Sequence, residues 1–240
     1  MIKTKTLEKL CEELHEYPPD WEEIIRRFKA NPNFDPSNTF SVKQYAKYFS
    51  EIYLDLSLEE LAGKFPEFGI ILDPISSGSE SNDHIFHYDA AGRLFALLKN
   101  SHKFPYEYDR LAQVDGIPVV FDIKLGRWHG SRIVRRIYNG KVPYKIGPGL
   151  INSFRPEVIS RRLYPIKQFF NSDVGYVLVI PKDIYDNRTD PVNLQRADEQ
   201  NSMFSRFIQN NGLVVPFYTD RHTFRAKVGQ VVQDYGLKLK

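Results

Sequence analysis

The pair Asp115-Gly116 constrains this chain more than any other two residues. It stands between the stretches RLAQV and IPVVFDIK, and Asp-Gly is the kind of pair that closes a two-residue β-hairpin. Counting outward from the turn sets a register: Val114 faces Ile117, Leu111 faces Val120, Asp109 faces Asp122, and Glu107 faces Lys124. Successive side chains of a strand point to opposite faces, so Glu107, Asp109, Asp122 and Lys124 share one face. Two directly opposed carboxylates repel unless positive charge lies between them, and a divalent cation is the usual reason to keep them there. A slip of one residue turns Asp109 away from Asp122, so the site depends on the turn holding its register.

The rest of the chain supplies more strands and the helices that cover them. With 240 residues, 42% of them hydrophobic, it can build a packed core. Leu7, Leu10, Cys11 and Leu14 fall at the spacing of an amphipathic helix. Asp20 caps a second helix carrying Trp21, Ile24, Ile25 and Phe28, with Glu23 placed as in a capping box. Ser41 opens a third, and Ser57 with Glu60 frames a short fourth. A helical region over 1–66 therefore precedes an α/β region over 67–240. There, strands are expected on either side of a turn near 89–92, and strands 94–99, 107–114 and 117–125 form an antiparallel meander. Pro156 begins a helix to about 171. The apolar run 174–181 reads as a buried strand, followed by a helix near 192–210, a strand at 212–218 and a helix at 221–235. Strand, helix, strand implies a parallel crossover, so the expected fold is α/β: a mixed sheet flanked by helices.

The shared face suits metal chemistry. Asp109 and Asp122, with the Ile123 carbonyl and waters, make an oxygen donor set for Mg2+ or Mn2+. Lys124 is placed to orient or deprotonate an attacking water, or to stabilise charge on a phosphate. The alternative is a salt-bridged, solvent-exposed hairpin face. Other features carry less. His84 and His87 lack a third ligand nearby, Cys11 lies on an apolar helical stripe, and Lys145–Gly149 lacks the spacing of a phosphate loop.

Asp109 on one strand, a hairpin, then Asp122-Ile123-Lys124 on the next resembles the PD-(D/E)xK phosphodiesterase superfamily. The resemblance covers about residues 85–220. Tyr108 stands where the motif has Pro, and Asp122 where many members have Glu. It implies a restriction-endonuclease-like fold and a metal-dependent endonuclease, with Asp109 and Asp122 as metal ligands and Lys124 as the catalytic lysine. Some members add an upstream acidic residue, for which Glu51, Glu80 and Asp89 are candidates.

Charge distribution supports a polyanionic partner. Residues 123–168 carry eleven Lys and Arg against one acid, Glu157, a local net charge of +10 in a chain of net +3. Arg127, Arg132, Arg135, Arg136, Lys141 and Lys145 are the candidate nucleic-acid contacts, interleaved with Trp128, His129, Tyr138 and Tyr144. DNA is expected ahead of RNA. A non-catalytic nucleic-acid-binding protein on the same fold, or a structural or partner-binding protein, are the rivals. A single cysteine excludes an internal disulfide framework, the N-terminus is unlike a secretory signal, and no apolar run has the length of a membrane span. The expectation is a cytoplasmic protein without a membrane partner, and a homodimer is compatible by analogy with enzymes that cut both strands.

Overall fold

The computed structural model describes residues 1–14, 17–31, 34–88, 93–100, 106–125, 155–186 and 206–240. The Asp-Gly turn forms as its chemistry requires. Asp115 and Gly116 have φ of 51° and 74°, the pair of positive values that suits the twist of the flanking strands. Strands β5 (Arg110–Val114) and β6 (Ile117–Ile123) then pair antiparallel, with Val114 opposite Ile117 and Leu111 opposite Val120. On its other side β6 runs parallel to β7 (Gly175–Ile180), and β7 runs parallel to β8 (Leu213–Pro216). A two-residue strand β1 (Ile71–Leu72) edges β5, giving the order β1-β5-β6-β7-β8. The expected mixed sheet and parallel crossover are present.

The expected single meander is not. Strands β2 (His84–Tyr88), β3 (Leu94–Leu98) and β4 (Tyr106–Tyr108) make a separate antiparallel sheet. The chain bends at Asp109 and passes from β4 in one sheet to β5 in the other, a corner of the kind made by strands that switch sheets. Glu107 consequently pairs with Phe95 rather than facing Lys124. The β5–β6 ladder ends at Arg110 opposite Phe121, so Asp109 lies just outside it. Tyr108 holds the corner: its ring is buried and its hydroxyl donates to the Arg162 carbonyl at 2.6 Å.

Helices α1 (Lys5–Glu13) and α2 (Trp21–Ala30) start at Thr4 and Asp20, whose side chains accept backbone N–H groups. Glu23 does not close a capping box; it pairs with Arg26 and Arg27 instead. The third and fourth expected helices are one, α3 (Val42–Lys64), capped by a Ser41/Gln44 box. Ser57 does not start a helix, because its hydroxyl donates to the Tyr53 carbonyl one turn back at 2.9 Å. After these come α4 (Pro156–Phe170), which continues through Pro165, the short α5 (Lys182–Asp186) and α6 (Arg221–Asp234). The helix expected at 192–210 falls mostly outside the described residues. No described helix is long and apolar enough to cross a membrane.

The five-stranded sheet is buried on both faces. Alternate residues Val119, Phe121 and Ile123 join a core with α1, α2, α3 and α6. Val120, with Leu111, Tyr176 and Leu178, joins a second core with α4 and the three-stranded sheet. Asp122 therefore points into an interior already filled by α4. Gly175 allows β7 to approach its neighbours: a Cβ there meets Leu7 Cδ2 and Val119 Cγ2 at 3.1 Å. Gly175→Ala is expected to destabilise by on the order of 1–3 kcal/mol through overpacking, read as a lower denaturation midpoint at unchanged slope.

Candidate functional site

The alternation of β6 and the bend at Asp109 bring both aspartates to the α4 side. Asp122 is fully buried and Asp109 is 4% exposed. Asp109 Oδ2 accepts from the Ile123 amide at 2.9 Å and from Lys124 Nζ at 3.1 Å. The same ammonium lies 3.3 Å from Asp122 Oδ1. One lysine thus bridges the two carboxylates, and the shared face expected for Asp109, Asp122 and Lys124 is present.

The partner that sequence reasoning missed is Arg162 of α4. Its guanidinium forks onto Asp122, with Nη2 2.7 Å from Oδ1 and Nη1 on Oδ2. Tyr176 on β7 donates to Asp122 Oδ2 at 2.7 Å. Arg162 Nε also donates to the Glu107 carbonyl at 3.0 Å, tying the corner at β4 to the same network. A signal for Arg162 did exist: it falls in the stripe Ile159, Arg162, Leu163, Ile166, an arginine on the buried face of a helix. Tyr176, inside an apolar strand, gave none.

The surroundings set the charge states. Burial acts to raise Asp122, but Lys124, Arg162 and the hydrogen bonds to it hold its carboxyl well below the usual carboxylate range. Asp109 moves the other way, raised by burial and by the negative charge of Asp122 against the pull of Lys124. Burial opposes the charge on Lys124, yet the two aspartates outweigh it and keep the ammonium protonated. Glu51 of α3 is 2% exposed, and burial with the charge of Asp109 pushes it up to about 7. Lys47 stands 3.6 Å from Glu51 and 3.3 Å from Glu107, which Arg93 also holds at 2.9 Å. Behind Asp109, buried Arg110 pairs with Asp55 of α3 and donates to the Asp109 carbonyl at 3.1 Å.

Of the two upstream acids among the described residues, Glu51 lies near the pair. Glu80 is exposed and salt-bridged to Lys99 at 2.7 Å. Asp89 lies outside the described residues, as do Arg127, Arg132, Arg135, Arg136, Lys141 and Lys145.

Asp109, Ile123 and Lys124 open onto a cleft of about 520 Å3 at the C-terminal end of β6, the usual place for a ligand in an open α/β sheet. Six cations line it, Lys43, Lys47, Lys124, Arg162, Arg221 and Arg225, against the carboxylates of Glu107 and Asp109. Whether these residues fit a divalent metal divides by residue. Asp109 accepts from Ile123 and Lys124 through Oδ2 and lines the cleft, where its carboxylate can serve as an oxygen donor. Asp122 already has Arg162, Tyr176 and Lys124 on its two oxygens. No group of three or more His, Cys, Asp or Glu among the described residues is arranged to hold a metal. Two carboxylates are hard oxygen donors of the kind Mg2+ and Mn2+ take, and the Lys124 ammonium holds the place between them. A metal held by Asp109 and Asp122 would take the place of that ammonium.

Fold and site define an α/β protein with a mixed sheet, whose central hairpin delivers a charge-paired aspartate couple to a cationic cleft. No protein-family model, curated protein or solved structure matches this chain.

Proposed function

We propose that the protein is a metal-dependent phosphodiesterase, an endonuclease acting on DNA, with the restriction-endonuclease-like arrangement of the PD-(D/E)xK superfamily. The observation that carries the reading is the convergence of Asp109 and Asp122 on Lys124 at the wall of a cleft rimmed by cations. Mg2+ or Mn2+ would be held by Asp109 and Asp122 with the Ile123 carbonyl, and when bound supplies a polarised phosphodiester and an acidified water. Lys124, kept protonated by the two aspartates in the metal-free protein, is placed to hold negative charge on the phosphate. Arg162 and Tyr176 orient Asp122. The basic segment that follows cleft-lining Leu125 in sequence supplies further phosphate contacts.

A second reading rests on Arg162. Its fork neutralises Asp122 without a metal, as in a non-catalytic nucleic-acid-binding protein on the same fold. Plasmid and single-stranded DNA cleavage with Mg2+ or Mn2+ separates the two. The parent is expected to cut, and Lys124→Met and Asp109→Asn to lose at least a hundredfold in rate. Salt-sensitive binding with no metal-dependent turnover selects the second reading. Variants that cut as well as the parent remove the assignment of the site.

A further inference from the structure

The cleft has two cationic walls, and only one belongs to the aspartate pair. Lys124 and Arg162 are held by Asp109 and Asp122. The other wall comes from two helices on the opposite face of the sheet: Lys43 and Lys47 from the first turns of α3, Arg221 and Arg225 from the first turns of α6. Arg221 is only 7% exposed and underlies this wall, while Lys43 and Lys47 are exposed and Arg225 is partly exposed. Of the apolar and aromatic lining residues, Tyr106 and Leu125 are partly exposed, whereas Ala46 and Phe224 are buried.

We propose that this second wall is a phosphate-holding subsite that seats one unpaired DNA strand across the cleft, opposite Asp109 and Lys124. The inference rests on the nuclease reading for the identity of the polyanion. The argument is one of space and chemistry. A backbone running between two walls of charge has cations on both sides, whereas one strand of a duplex has its partner on one of them. A volume of about 520 Å3 is that of a small-ligand pocket, suited to one or two nucleotides. A cationic track with an apolar and aromatic floor is the combination that holds single strands without reading their sequence.

The test is binding in EDTA, where no metal-dependent turnover occurs, by fluorescence anisotropy of a labelled 15-nucleotide oligo-dT and of a hairpin duplex of equal charge. The parent is expected to bind oligo-dT more tightly than the duplex. Lys43→Gln/Arg225→Gln changes two side chains that are not fully buried, and is expected to weaken oligo-dT binding roughly tenfold at 0.1 M salt. It should also flatten the slope of log K against log salt by about 1.4, two contacts' worth for a single strand. Lys5→Gln/Lys227→Gln, exposed and away from the cleft, is expected to bind as the parent does. Duplex bound as tightly as oligo-dT overturns the single-strand assignment, whatever the variants do. Unchanged affinity and slope in Lys43→Gln/Arg225→Gln, with its denaturation midpoint at the parent's value, overturn the subsite. A parent that binds oligo-dT through this wall but never cuts removes the catalytic reading and leaves the subsite standing.

Discussion

Asp122→Ala is expected to lose about 3–5 kcal/mol of unfolding free energy, measured by chemical denaturation at neutral pH. Asp122 is fully buried, and Arg162, Tyr176 and Lys124 all depend on it. Removing the carboxylate leaves the largely buried Arg162 guanidinium without the group it forks onto, and that under-compensated charge is the main cost. The double variant Asp122→Asn/Arg162→Met should regain most of the loss, because a buried ion pair replaced by neutral groups of similar size is close to neutral in stability. A double variant no better than Asp122→Ala contradicts this account. The sign with pH follows from the depressed folded value of Asp122. Its contribution is present above the unfolded aspartate value of 3.8 and is lost as pH falls through the folded one. The parent should therefore weaken in acid more steeply than Asp122→Ala. For cleavage, this makes Lys124→Met the cleaner variant: its side chain is 29% exposed and its removal leaves the Arg162 fork intact.

Glu51→Gln is expected to stabilise the metal-free protein at pH 8 by on the order of 3 kcal/mol. Glu51 has a folded value of about 7 against 4.5 in the unfolded chain, raised by burial and by Asp109. A carboxyl whose folded value is raised binds more protons in the folded state. Stability therefore falls as pH climbs from 4.5, and the full penalty is present above about 7. Lys47, 3.6 Å away and half exposed, does not offset it. Parent and variant should unfold alike at pH 4.5 and diverge through neutrality, with EDTA present throughout. Asp109, also raised by burial, leaves the variant a residual slope of the same sign. A parent whose stability is flat from pH 5 to 8 shows that Glu51 does not titrate in that window.

Much of the site was legible in one hairpin. Asp-Gly specifies a turn with two positive φ values, the turn sets register, and strand alternation then commits Asp122 and Lys124 to one face. Local chemistry also fixed the helix starts at Asp20, Ser41 and Pro156. The third and fourth helices were misdivided because Ser57 carries a capping residue's hydroxyl. Inside a helix that hydroxyl can bond to the preceding turn instead, and packing against the sheet decides which happens.

The sequence by itself determined the register of β5 on β6 and the common face of Asp122 and Lys124, because each follows from spacing within a few residues, and the strand, helix, strand order implied the parallel part of the sheet. Only the tertiary structure decided what surrounds them. The corner at Asp109 depends on two sheets meeting, Arg162 reaches Asp122 from 40 positions along the chain, and the wall of Lys43, Lys47, Arg221 and Arg225 joins the two ends of the protein. Those arrangements arise because burying both faces of one sheet forces helices distant in sequence against the ends of the same strands, a long-range packing choice that no short spacing encodes.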